Sequence, residues 1–379
     1  MDFAFTEAQK AVADLSRKIF TDRVTPAALK SVEAEPDWFF RKLWADLAAS
    51  GLLATAIPES EGGSGHGLLE LCALLAEAGA AVAPIPLWPT LVLGALPIAA
   101  LGTPEQRARW LPGVAAGEII LTAALAEACS DDPTRPETTA TATPGGGWSL
   151  TGTKICVPAA HLAARILVPA RAASAADAVG VFLVDPRGAG VSLERDVATT
   201  GEPQFRVTLE GALVEAGDVL ATPSRVDGRG SAVSWIAERA AVGLCALELG
   251  VTERALRLTA AYTTTRRQFD RPIATFQAVA QRAADAYIDV ESIRLTMWKA
   301  AFRLDAGLPA AEVVAVAKLR AAEAGHRVVY AAQHLHGGIG FDRDYPLYRY
   351  YLWSKQIELT LGSASVHLAR LGAAIAGSR

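Results

Sequence analysis

Charge is scarce in this sequence: Asp, Glu, Lys and Arg make up 20% of its 379 residues, against 51% hydrophobic residues. So apolar a chain excludes intrinsic disorder, which requires low hydrophobicity and high charge. The charge that is present nearly cancels, 36 Lys and Arg against 40 Asp and Glu for a net of -4. That balance argues against a general nucleic-acid or anionic-membrane binder. Cysteine is sparse too. Cys72, Cys129, Cys156 and Cys245 lie far apart with no paired spacing, so neither a disulfide framework nor a zinc site is expected, and a reducing cytoplasm fits. The N-terminus, MDFAFTEAQK, lacks the basic and apolar regions of a signal peptide.

Long unbroken apolar runs are also missing. Residues 78–104 carry no charge, but Pro84, Pro86, Pro89, Pro97 and Pro104 cut the stretch so often that its longest Pro-free piece is seven residues. A backbone broken this often cannot satisfy its hydrogen bonds in lipid, so no membrane span is expected.

What is present falls into three zones, in line with the two or three domains that ~150 residues per domain would allow. Residues 1–117 read helical. Thr6 and Gln9 form a capping box ahead of Val12, Leu15 and Ile19, and Thr103-Pro104-Glu105-Gln106 is a second start signal, with Gly117 closing its helix. Between them, the glycine-rich PESEGGSGHG at 58–67 has neither the spacing nor the preceding strand of a nucleotide fingerprint and reads as a turn. Residues 118–227 change character. Short runs such as IILTAAL, TATAT, WSLTGT, RILVPA, GVFLVD and FRVTLE recur between Gly and Pro, as strands of an antiparallel barrel or sandwich do. Residues 228–379 are helical again. From Ile236 an apolar stripe runs through 240, 244, 247, 251, 255, 258 and 262, and Ala241, Val242, Cys245 and Leu249 make the other face apolar as well. A helix of that kind is buried among others, so this zone reads as a bundle of long helices.

Two segments carry chemistry. In RRQFDRPIATFQAV, residues 266–279, Arg266, Arg267 and Arg271 cluster beside Phe269 at the end of the buried helix. Guanidinium forks suit a pyrophosphate and an aromatic suits a planar ring, although a solvated basic helix end would read the same way. In QHLHGGIGFDRDYPLYRYY, residues 333–351, Gly337, Gly338 and Gly340 would let a ligand approach the backbone closely, or simply form a tight turn between helices. His334 and His336 lie two apart with no carboxylate at a metal-like spacing, so no metal site is expected.

In order and spacing, R-x-Q-F-x-x-P-I-x-x-F-Q followed some 55 residues later by H-G-G-x-G resembles the acyl-CoA dehydrogenase family. LTGTK at 150–154 looks like the family's G-x-K strand, and PESEGGSG like its P-x-x-x-G-G turn. The resemblance spans essentially the whole chain. It implies an α+β, multi-domain fold with an N-terminal helical domain (1–117), a middle antiparallel β-barrel (118–227) and a C-terminal four-helix bundle (228–379). It also implies FAD chemistry on an acyl-CoA thioester, in which a glutamate takes the α-proton and the flavin accepts hydride from the β-carbon. By position, Arg266, Gln268, Phe269 and Gln277, with His334, Gly337 and Gly338, would contact the FAD of a neighbouring subunit. Residues 84–101 would line the acyl pocket. The electron acceptor would be an electron-transfer flavoprotein or a similar protein.

The sequence departs from the family at its chemical centre. Leu361 stands where the usual catalytic glutamate belongs, and leucine accepts no proton. Glu238, in a Glu-Arg pair at the start of the long helix, and Glu248 further along it are the alternative bases. LAEACSDDP (125–133) and ICVPAA (155–160) replace the segments that touch the flavin ring in relatives. This combination resembles the base-lacking partner subunits of bacterial heterotetrameric acyl-CoA dehydrogenases acting on steroid side chains. The expectation is therefore an FAD-dependent acyl-CoA dehydrogenase subunit for a bulky acyl-CoA, completed by a homologous chain. The alternatives are a self-sufficient homotetramer using Glu238 or Glu248, and a catalytically silent assembly subunit.

Overall fold

The computed structural model describes residues 4–128, 130, 132–225 and 231–377. Six helices come first: α1 (Glu7–Arg23), α2 (Pro26–Glu33), α3 (Arg41–Ala49), α4 (Leu68–Ala81), α5 (Leu96–Leu101) and α6 (Pro104–Ala115). Eight strands follow: β1 (Leu121–Ala123), β2 (Thr139–Ala142), β3 (Trp148–Pro158), β4 (Arg165–Ala172), β5 (Ala175–Val184), β6 (Val191–Val197), β7 (Pro203–Val214) and β8 (Val219–Arg225). The rest is helical, α7 (Ala232–Thr265), α8 (Gln277–Asp305), α9 (Ala311–His336), α10 (Leu347–Leu359) and α11 (Ala364–Gly377), apart from a small hairpin of β9 (Arg267–Gln268) and β10 (Arg271–Pro272). Both expected capping boxes are present, Thr6 with Gln9 and Thr103 with Gln106. The expected boundary at 227/228 and Cys129 lie outside the described residues.

The described residues form two compact units. One joins Met1–Ser31 and Leu68–Ala83 to Ala241–Arg379. Its centre is a backbone-to-backbone crossing of α4 and α7. A Cβ added at Gly79 would sit 2.1 Å from the carbonyl oxygen of Leu247, and one at Gly250 would sit 1.8 Å from that of Ala76. Only glycine at both positions lets the two helices meet so closely. Around this crossing α9 packs against α8, α10 and α11. Helix α8 buries Val290, Ile293, Met297 and Leu304, yet Ile288 and Leu295 on its outer side are 65% and 58% exposed.

The other unit is Val32–Gly67 with Pro84–Ala240. It holds an eight-stranded sheet ordered β6-β7-β3-β2-β4-β5-β8, with β1 also on β4. The strand pairs are antiparallel except on one edge of β4. There β1 pairs in parallel with Arg165–Leu167 and β2 with Arg171–Ala172, so two short strands share one long edge. The inward side chains, among them Leu150, Ile166, Val168, Phe182 and Val207, make a dry core. The uncharged stretch contributes a π-helical turn, Pro89–Ala95, buried throughout. It is core rather than a span. Trp88 Nε1 donates to the carbonyl of Ala240 at 3.1 Å and ties this turn to the start of α7.

Candidate functional site

The arginine-rich segment begins where α7 ends. The Arg266 N–H donates to the Tyr262 carbonyl at 2.8 Å, and the chain then doubles back with Gln268 paired to Arg271. Phe269 and Asp270 form the two-residue loop, at φ of 52° and 61°. A loop with both central residues in the left-handed region normally selects Asn-Gly, and a bulky residue there is strained. Phe269 is nevertheless 87% exposed, with only the edge of Phe276 beside it at 6.2 Å. The Arg271 guanidinium lies over the Phe276 ring at 4.2 Å. Arg266, Arg267, Gln268 and Gln277 are exposed. The segment is a strained cationic finger with an aromatic tip.

The glycine segment begins where α9 ends. Gly337 takes φ of 65°, and a Cβ added at Gly337 or Gly338 would meet nothing within 4 Å. The two histidines separate: His334 is exposed, while His336 is buried. His336 stacks on Tyr262 with ring centroids 4.4 Å apart and planes 18° from parallel. Through that stack the finger and the glycine turn are held side by side in one unit. Behind the turn, the Oε1 of buried Gln333 has no hydrogen-bond partner.

The same unit holds Leu361, where the family resemblance leads one to expect a base. Leu361 lies in the turn between α10 and α11 at φ of 60°. Lys318, with no exposed surface, donates from Nζ to the carbonyls of Ile357 (2.9 Å), Glu358 (3.1 Å) and Gly362 (3.2 Å). The Nε2 of His367 donates to the Leu361 carbonyl at 3.1 Å; burial, with Lys318 and Arg370 nearby, pushes this imidazole down to about 4 and keeps it neutral. A turn without a carboxylate is thus held by a lysine and a histidine. Glu358 is occupied by Lys355 Nζ at 2.5 Å.

Glu248 is enclosed. It has no exposed surface, its Oε1 accepts from Ser354 Oγ at 2.6 Å, and its Oε2 has no partner. Burial pushes its carboxyl up to about 8, against the opposing pull of Ser354 and Lys318. Gly325 provides the space, since a Cβ there would lie 2.2 Å from Glu248 Oε1. Glu238, in the other unit, is half-buried. Burial raises its carboxyl, and neighbouring Arg239 opposes the rise. The Arg239 guanidinium itself lies over the Trp235 ring at 3.7 Å.

In the sheet unit, Glu127 closes the gap between β1 and β2 along β4. Its carboxylate accepts from the backbone N–H groups of Glu137 (2.5 Å) and Thr138 (3.1 Å), from the Thr138 hydroxyl (2.6 Å) and from Lys154 Nζ (2.6 Å). Burial would raise this carboxyl, but Lys154 and these donors outweigh it and hold the group low; burial also pulls the Lys154 ammonium down. The lysine of LTGTK therefore anchors Glu127 in the segment after β1. Sequence reasoning weighed His336 only as a metal ligand and gave no role to Tyr262, Lys318 or Lys154. Their only signal was position: Tyr262 four residues before Arg266, and His336 directly before Gly337.

Helices, then a sheet, then a bundle of long helices are the three parts of a multi-domain α+β enzyme fold. The family models agree. Those described as the N-terminal, middle and C-terminal domains of acyl-CoA dehydrogenase match residues 6–118, 124–210 and 228–376, and the chain belongs to the acyl-CoA dehydrogenase family of FAD-dependent oxidoreductases. It is 40% identical over 385 residues to acyl-CoA dehydrogenase FadE27 of Mycobacterium tuberculosis, covering 99% of both chains. Among solved structures, a chain of a Tcur3481-Tcur3483 steroid ACAD variant superposes with a TM-score of 0.91 at 43% identity, covering 98% of both. A chain of the ChsE4-ChsE5 complex from Mycobacterium tuberculosis superposes with a TM-score of 0.92 at 39% identity, covering 99% of both.

Proposed function

We propose that this chain binds FAD and is one subunit of a heterotetrameric acyl-CoA dehydrogenase acting on a bulky acyl-CoA thioester, with a homologous chain supplying the catalytic base. The observation that carries this reading is the turn at Leu361. Lys318 and His367 hold this turn through its carbonyls around a residue that cannot accept a proton, and Glu248 is walled in by Gly325 and Ser354. The two-chain assemblies named among the similar structures support the same reading.

The residues present fit FAD. Exposed guanidiniums of Arg266, Arg267 and Arg271 suit its pyrophosphate, and the bare backbone at Gly337 and Gly338 admits close approach. Phe269 offers an exposed ring, while Gln268, Gln277 and His334 are exposed alongside. Bound there, the flavin supplies the hydride acceptor. The chain's own task is to hold and orient, leaving proton abstraction to a carboxylate on the partner. The π-helical turn with its buried, unpartnered Thr90 hydroxyl supports an acyl pocket along residues 84–101. Exposed Ile288, Leu295, Leu359 and Leu368 on the helical unit are apolar side chains that burial against other chains would cover. Domain limits near 117/118 and 227/228, an electron-transfer flavoprotein or similar acceptor, and a reducing cytoplasm, with Cys72, Cys156 and Cys245 as free thiols, complete the reading.

Co-expression with an adjacent homologous chain, followed by native mass and flavin content per complex, tests it. The expected result is a flavin-bearing complex of two chain types, inactivated by removing the partner's glutamate. A homotetramer that turns over acyl-CoA alone and is silenced by Glu238→Gln would replace it with the second reading, which the raised carboxyl of Glu238 favours. A complex without flavin would leave a silent assembly subunit.

A further inference from the structure

The arginine finger and the glycine turn lie roughly 70 residues apart in sequence, and one small buried group joins them. His336 is 5% exposed. Its Nδ1 lies 2.8 Å from the carbonyl of Ala332, one turn back on α9, and must donate there because a carbonyl only accepts. The neutral ring therefore presents Nε2 as an acceptor, and the Tyr345 hydroxyl lies 3.0 Å from it. One face of the imidazole is covered by Tyr262 at 4.4 Å, and Tyr345 tilts against the ring at 5.2 Å and 53°. The Tyr262 hydroxyl reaches the His336 carbonyl at 3.5 Å, the last carbonyl before Gly337. At its other end, the Tyr262 carbonyl receives the N–H of Arg266. Both ring nitrogens are thus occupied on the glycine-turn side, and the finger end is joined through the Tyr262 stack and the Tyr262 hydroxyl.

We propose that Tyr262, His336 and Tyr345 are positioning residues for FAD: the stack sets the distance between the arginine finger and the glycine turn so that both engage one dinucleotide at once. The inference rests on the reading that these two segments hold FAD. Its physical content is preorganisation. Two helix ends fixed before binding spare the ligand the ordering cost of bringing them together. Their role in this proposal is indirect, passing through Arg266 and Gly337.

The test is FAD titration of the deflavinated complex, purified with its homologous partner chain and followed by flavin fluorescence. Tyr262→Ala should raise the FAD Kd about tenfold, in the range of a lost aromatic stack, and Tyr262→Phe, which keeps the stack and loses only the long hydroxyl contact to the His336 carbonyl, should recover most of it. Tyr345→Phe, a mild change that preserves the fold, should weaken FAD in the same direction. Combined with Arg266→Ala, Tyr262→Ala should cost less than it does alone, because the finger is then already disabled. A purely architectural group would instead lower the melting temperature of the apo complex without changing Kd, and that outcome overturns the proposal. Arg266→Ala separates the two levels. If it weakens FAD while Tyr262→Ala and Tyr345→Phe do not, the positioning role falls and the FAD reading stands. If Arg266→Ala leaves FAD binding unchanged, the FAD reading fails and the positioning role fails with it.

Discussion

The hydroxyl of Ser354 on α10 donates to Glu248 Oε1 on α7 at 2.6 Å, across 106 residues of sequence, while the other carboxyl oxygen has no partner. This carboxyl and Lys318 are both stripped of water, and burial drives each towards its neutral form: Glu248 up from 4.5 to about 8, Lys318 down from 10.5 to about 8. Between pH 4.5 and 8 the folded chain keeps a proton on Glu248 that the unfolded chain has released, so stability falls as pH rises. Between pH 8 and 10.5 the unfolded chain keeps a proton on Lys318 that the folded chain has lost, so stability recovers. Glu248→Gln should remove the descending limb, and the variant should gain on the wild type by on the order of a few kcal/mol between pH 5 and 8. Thermal melting across pH checks this, and parallel curves for the two proteins would refute it.

Lys318→Met should loosen the turn between α10 and α11 by orphaning the carbonyls of Ile357, Glu358 and Gly362. Hydrogen exchange at residues 357–363 should rise well above that of the rest of α10. A uniform increase across the bundle would mean that the lysine supports the whole core rather than this turn.

Removing one member of the Lys154–Glu127 pair leaves a buried charge uncompensated, which costs about 3–5 kcal/mol. Lys154→Met alone should therefore destabilise the chain strongly, and Lys154→Met with Glu127→Leu should recover only part of the loss, because Glu127 also caps the N–H groups of Glu137 and Thr138. Chemical denaturation of the single and double variants decides the split.

Replacing Phe269-Asp270 by Asn-Gly should relieve the left-handed strain of the finger tip and stabilise the chain by about 0.5–1 kcal/mol. The same change should weaken flavin retention by removing the exposed ring. Higher stability with unchanged flavin affinity would show that Phe269 has no part in binding.

Local signals were legible in the sequence. The capping boxes at Thr6 and Thr103 depend on residues three apart, and the long apolar stripe from Ile236 became α7 because helical periodicity is read within a single segment. The strands β6 and β8 were harder. The run VSLERDV has few buried side chains to set an alternating pattern, and its strand is fixed by its ladder with β7. The parallel pairings on β4 and the neighbours of Glu248 depend on segments distant in the chain, and no window of sequence contains them. At the site, the arginine and glycine motifs were visible by type and spacing. What orders them was not, because Tyr262 and His336 meet only in the folded protein.

The glycine crossing of α4 and α7 has a consequence for synthesis. Leu247 leaves the ribosome roughly 170 residues after Gly79, which at about 5–20 residues per second means ~10–30 s. Through that interval the face of α4 that meets α7 is uncovered, with only the earlier α1 there to pack against the helix. The early helices therefore cannot mature as a free-standing module, and a chain cut near residue 117 should leave both pieces exposed to aggregation rather than folded.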